Sequence, residues 1–118
     1  MQENISLILQ THEHLSRNKA YQRVDKALTS LHIEHLALLR YEVCSAKEIF
    51  LVQLIRACIQ KSARIIIEQP FMFLNDEINL NFLFDALDAL DVSWERIRII
   101  DLKHQENYYE EDRCHIIK

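Results

Sequence analysis

Residues 45–75, SAKEIFLVQLIRACIQKSARIIIEQPFMFLN, decide the fold. Ser45 followed three positions later by Glu48 is a capping-box pattern. The hydroxyl can accept from the backbone N–H of Glu48, and the carboxylate can reach back to the N–H of Ser45. An apolar run follows, with Ile49, Val52, Ile55 and Ile59 on one side, which predicts a long helix from Ser45 to about Gln60. Lys61-Ser62 breaks it. Arg64 to Glu68 is a strand by residue type. Ile65-Ile66-Ile67 is a continuous β-branched run, as expected for a strand buried on both faces of a parallel sheet. Pro70 ends it.

The segments on either side fit around this helix–strand unit. Upstream, Ala20 to Leu31 is predicted helical, because Ala20, Val24, Ala27, Leu28 and Leu31 fall on one face. Glu34 to Arg40 is predicted to continue as a second short helix. Downstream, Asn75 or Asp76 can cap a helix whose buried stripe is Leu80, Leu83, Phe84, Leu87 and Leu90. Asp91-Val92-Ser93 reads as a turn and Ile97 to Leu102 as a second strand. A short polar helical piece is expected through Tyr108-Tyr109, and Cys114 to Ile117 as a last strand. The predicted class is α/β: an N-terminal helical block followed by a small parallel sheet with flanking helices. Residues 1–60 form the helical segment, and 61–118 the α/β half.

Composition excludes several classes of function. A net charge of −4 offers no basic footprint for nucleic acid. No apolar run approaches the roughly 20 residues of a membrane span, and Met1-Gln2-Glu3-Asn4 does not open like a signal peptide. Cys44, Cys58 and Cys114 are an odd set without paired spacing, which predicts reduced thiols and a cytoplasmic protein. The chain contains no glycine, where average usage of about 7% would give roughly eight. Loops that wrap phosphate need glycine so that backbone N–H groups can converge on the anion. These 118 residues therefore hold no phosphate cradle of their own.

The quoted stretch also carries an ordered set of short motifs. Ser45-Ala46-Lys47-Glu48 is followed by Arg56-Ala57, by the apolar strand ending in Glu68-Gln69-Pro70, and by Leu74-Asn75. In this order and without a gap, they resemble the ATPase subunits of ABC transporters. There the corresponding places hold a Ser-Gly-Gly-Gln/Glu signature, Ala-Arg-Ala, a Walker B strand ending in Asp-Glu-Pro, and Leu-Asp. Glu3-Asn4-Ile5 resembles the segment after the family's Q-loop, and Ala20 to Leu38 its helical subdomain. Lys103-His104 stands where the family has its switch histidine. Asp112-Arg113 and the following Cys-His-Ile-Ile resemble the strand beyond. The resemblance implies a partial P-loop NTPase of ABC type, with the Walker A strand, phosphate loop and Q-loop expected before Met1.

What the resemblance implies for chemistry is altered at each position. Glu68 takes the place of the magnesium-holding Asp, keeping the charge on a longer arm. Gln69 takes the place of the catalytic Glu; it can position a water but cannot accept its proton. Ser45, Ala46, Lys47 and Glu48 take the place of the nucleotide-binding signature, where Lys47 blocks close backbone approach. His104 keeps the switch histidine, and Asn75 replaces the Asp of the subunit-crossing loop. The expectation is an ATP-binding-cassette ATPase-like subunit or fragment of a membrane transport system that does not hydrolyse ATP alone. ATP and Mg²⁺ enter by resemblance only, and no cofactor is expected for the isolated chain. The alternative is a non-catalytic regulatory or interaction module. Expected partners are a complete ABC ATPase, a transporter membrane subunit, or further copies of the chain. The expected place is cytoplasmic, peripheral at the inner face of the membrane.

Blander readings compete at each position. Ser45 and Glu48 can simply cap a helix. Glu68, Gln69 and His104 can be surface polar residues. His12/His14, His32/His35 and Cys114-His115 lack the four-ligand spacing of a structural zinc site. Without a Walker A strand, Ile97–Leu102 would have a bare edge. Pairing with Cys114–Ile117, a strand from a second chain, or a covering helix would each cure it.

Overall fold

The computed structural model describes residues 2–61, 64–70, 80–102 and Tyr109. In chain order it has α1 (Gln2–His12), α2 (Arg17–Ser30), 3₁₀ turns at Glu34–Leu36 and Tyr41–Val43, and α3 (Ala46–Cys58). Strand β1 (Ile65–Glu68), α4 (Leu80–Ala89), a 3₁₀ turn at Trp94–Arg96 and strand β2 (Ile97–Ile100) complete it. The class is α/β: among the described residues, three helices precede a two-stranded parallel sheet and a fourth helix lies between its strands.

Helix α1 lies in the segment expected to be helical, ahead of the first apolar stripe read from the sequence. Ile5 and Leu9 lie one turn apart and are buried, but Leu7 and Ile8 beside them blur the period. Buried Ser6 is satisfied by donating to the Glu3 carbonyl at 2.9 Å. Helix α2 starts earlier than its apolar stripe, at Ser16, whose hydroxyl accepts from Lys19 N–H at 3.3 Å. The helix expected over Glu34–Arg40 shrinks to one 3₁₀ turn that buries only Leu36. A single core draws Ile5 and Leu9 from α1, and Val24 and Leu28 from α2. Val52 and Ile55 come from α3, Ile65 from β1, and Leu83 and Leu87 from α4. Removing the bulk of any one of these leucines would cost about 2–5 kcal/mol.

Helix exits show how the chain manages without glycine. The backbone enters the left-handed region at His14, His32 and Asp91, with φ of 56°, 59° and 57°. After α2, His32 N–H donates to Thr29 O at 3.0 Å and Ile33 N–H to Leu28 O at 2.9 Å. After α4, Asp91 N–H donates to Asp88 O at 3.0 Å and Val92 N–H to Leu87 O at 3.1 Å. Both are Schellman caps, and the apolar residue that follows each (Ile33, Val92) is buried against the same core. A residue other than glycine in this region costs roughly 1–2 kcal/mol.

Two polar ties join the helical block to the sheet half. Glu13, just past α1, pairs with Arg23 of α2 and accepts from Lys61 N–H at 3.1 Å beyond α3. That N–H, with Arg23, holds the Glu13 carboxyl below the usual carboxylate range, against an opposing desolvation effect. Arg96, just before β2, donates to the Gln60 carbonyl.

The strands pair in parallel with Ile65 opposite Ile97, Ile66 opposite Arg98, Ile67 opposite Ile99 and Glu68 opposite Ile100. Ile65, Ile67, Ile97 and Ile99 form the inner face. The expected burial of the isoleucines on both faces does not occur. Ile66 is 63% and Ile100 55% exposed, because among the described residues the paired strands lie on the core with one face only. The expected last strand, Cys114–Ile117, lies outside the described residues.

Candidate functional site

The N-terminus of α3 carries the first group of candidate residues. Ser45 is its N-cap, with its hydroxyl accepting from Glu48 N–H at 3.1 Å. Glu48 closes the box by accepting from Ser45 N–H at 2.9 Å. The other Glu48 oxygen lies 3.1 Å from Nε2 of His35, in the 3₁₀ turn Glu34–Leu36. The Ser45 N–H, and then the His35 ring, hold the Glu48 carboxyl below its ordinary range. Lys47 reaches sideways, and its ammonium sits 4.6 Å from the centre of the Phe82 ring on α4. That contact is a cation–π interaction.

The second group stands at the C-terminal end of β1. Gln69 N–H donates to Ile100 O at 2.7 Å and so prolongs the ladder by one residue. The chain then turns sharply, with Gln69 at φ 43°, ahead of a buried Pro70. A left-handed residue directly before proline is strained, because the ring crowds the preceding backbone. Glu68 lies on the exposed side of the strand.

A groove of about 510 Å³ lies between α3 and the end of β1. Ala46, Ile49, Phe50, Gln53, Leu54 and Ala57 form its α3 wall, a full stripe along one flank of the helix. The opposite wall is the run from Ile66 to Pro70. Of the predicted site residues, Ala46, Glu68 and Gln69 line it. Ser45, Lys47 and Glu48 are absent from that lining and make the contacts given above. His104 and Asn75 lie outside the described residues.

Among the described residues, no three His, Cys, Asp or Glu side chains gather to hold a metal ion. A divalent cation at Glu68 would find one carboxylate there, and magnesium would complete its octahedron with water or substrate oxygens. Gln69 can orient a water through its amide but offers no base.

Sequence reasoning missed two features of this site. The Lys47–Phe82 contact joins residues on separate helices and leaves no local pattern. The His35–Glu48 pair spans 13 positions and depends on where the 3₁₀ turn docks. The stripe along α3 was legible in principle, since Ile49, Phe50 and Leu54 recur at helical spacing. Comparison with protein-family models, curated proteins and solved structures gives no match to this chain.

Proposed function

We propose that this chain is a non-hydrolytic interaction module of ABC-ATPase type, working beside a complete ATPase or a membrane subunit of a transport system at the cytoplasmic side. One observation carries the non-catalytic half of the proposal. The side chains at the signature position are occupied within the chain: Ser45 and Glu48 by each other's backbone, Lys47 by Phe82. What they leave beside them is a mainly apolar groove with a single carboxylate at its edge. Such a surface suits a protein partner better than a triphosphate, which needs convergent donors.

The order of parts supports the ABC-type half. A capped helix leads directly into a strand ending in Glu68-Gln69-Pro70, and a second strand pairs with it in parallel after an intervening helix. The rival within this framework, a fragment whose site needs further chain to bind nucleotide, predicts that Ala46 and Gln69 remain free to face a ligand.

Calorimetric titration of the chain with Mg-ATP tests the proposal. The expected result is no saturable binding below the millimolar range, and no phosphate release by the parent or by Gln69→Glu. The single substitution restores a base but none of the other parts, which act as a unit. Micromolar ATP affinity, or turnover by the variant, would overturn the reading.

A further inference from the structure

The outer face of the sheet carries a pattern of four side chains. Ile66 lies beside Arg98, and Glu68 beside Ile100, all four exposed. Paired strands lie about 4.8 Å apart, and same-face neighbours along a strand about 6.6 Å apart. The four side chains therefore stand at the corners of a rectangle of about 4.8 by 6.6 Å. Ile66 and Ile100 occupy one diagonal, and Glu68 and Arg98 the other. Ile66 and Ile100 are 63% and 55% exposed, and Leu102, just beyond β2, is 50% exposed.

We propose that this face is a self-association surface whose partner is a second copy of the chain, related by a two-fold axis along the Ile66–Ile100 diagonal. The charge pattern selects that occupant. Stacking two such faces about an axis parallel to the strands, or across them, sets each isoleucine on a charged residue. The diagonal axis sets Ile66 on the partner's Ile66 and Ile100 on the partner's Ile100. It brings Glu68 against the partner's Arg98, and Arg98 against the partner's Glu68. The face is complementary to itself in both apolar and charged corners, as an isologous interface requires. The strands of the two copies then cross steeply, nearer the orthogonal than the aligned way of packing sheets. Arg98 is already oriented from behind, donating through Nη1 to the carbonyls of Glu95 at 3.1 Å and Ile97 at 2.9 Å.

The face is small. Two isoleucines and a leucine fall short of the roughly 800 Å² per partner of a standard stable complex. A weak dimer is expected, with a dissociation constant on the order of 10–100 μM. Its charged corners sit at the rim, so salt weakens it. The inference adds a second copy of the chain to the partners of the interaction module proposed above, on a face that shares Ile66 and Glu68 with the groove, and rests on the reading that the chain binds no Mg-ATP.

Sedimentation velocity on the full chain over a range of concentrations tests it, with charge reversals at the two corners. The parent is expected to dimerise reversibly. Glu68→Arg alone and Arg98→Glu alone each place like charges at both corners and should weaken association at least tenfold. The double variant Glu68→Arg/Arg98→Glu recreates the pattern in reverse and should recover the parent's affinity. Circular dichroism of each variant checks that the fold is retained. If a single variant fails to fold, a Lys substitution at Glu68 takes its place, with the same expectation. A chain that stays monomeric near ~1 mM overturns the inference, as does a dimer indifferent to both reversals. Either outcome leaves the Mg-ATP result standing, so failure of this inference is told apart from failure of the functional reading on which it rests.

Discussion

Replacing Ser45 by Ala separates a structural role for the signature-like motif from a ligand-binding one. The variant removes one hydrogen bond, from Glu48 N–H to the Ser45 hydroxyl at 3.1 Å. It spares the reciprocal bond from Ser45 N–H to the Glu48 carboxylate at 2.9 Å, because that donor is backbone. The loss is therefore half of the capping box, and removing an N-cap hydroxyl typically costs about 1 kcal/mol. For a chain of 118 residues, unfolding entropy near the midpoint is roughly 0.25 kcal/mol per degree, so Tm should fall by about 4 °C. Thermal unfolding followed by circular dichroism at neutral pH measures it. Ser45→Asn is the control, since asparagine caps as well as serine, and it should melt close to the parent. A Ser45→Ala variant that melts with the parent would refute the reasoning. So would an Asn variant that falls as far as the Ala variant.

Two other outcomes follow from the helix exits and the polar ties. Asp91→Gly and His32→Gly should each stabilise the chain by about 0.5–1 kcal/mol, the left-handed cost relieved less the added freedom of the unfolded chain, measurable by urea denaturation. The same change at Asp88, inside α4, should destabilise instead. Glu13 has a folded pKa lowered from about 4.5, so its contribution is fully present above that value and is lost as pH falls through the lower folded one. Stability measured from pH 7 to pH 3 should therefore decline more steeply below about pH 4.5 in the parent than in Glu13→Gln.

The local signals in this sequence act over a few residues, and they were legible. The spacing of Ser45 and Glu48 determines an N-cap wherever the rest of the chain goes, because both hydrogen bonds close within one turn. The β-branched run and Pro70 determine a strand and its end. The stripe of Leu83, Phe84 and Leu87 determines which side of α4 is buried. Helix α1 was not legible, since its apolar residues acquire a face only when α2 packs on Ile5 and Leu9.

Burial of the isoleucine run depended on whether a second layer covers the sheet, which no single segment encodes. The sequence of β1 is the same whether its second face meets a helix or is left open. The paired strands leave Ile66 and Ile100 exposed, opposite a glutamate and an arginine. The fate of Lys47 was also a tertiary matter, since its partner Phe82 lies 35 positions away on another helix. The sequence determined the local bonds and the choice of helix or strand. Only packing decided which of those side chains were left to meet another molecule, because exposure is a property of neighbours brought together from distant parts of the chain.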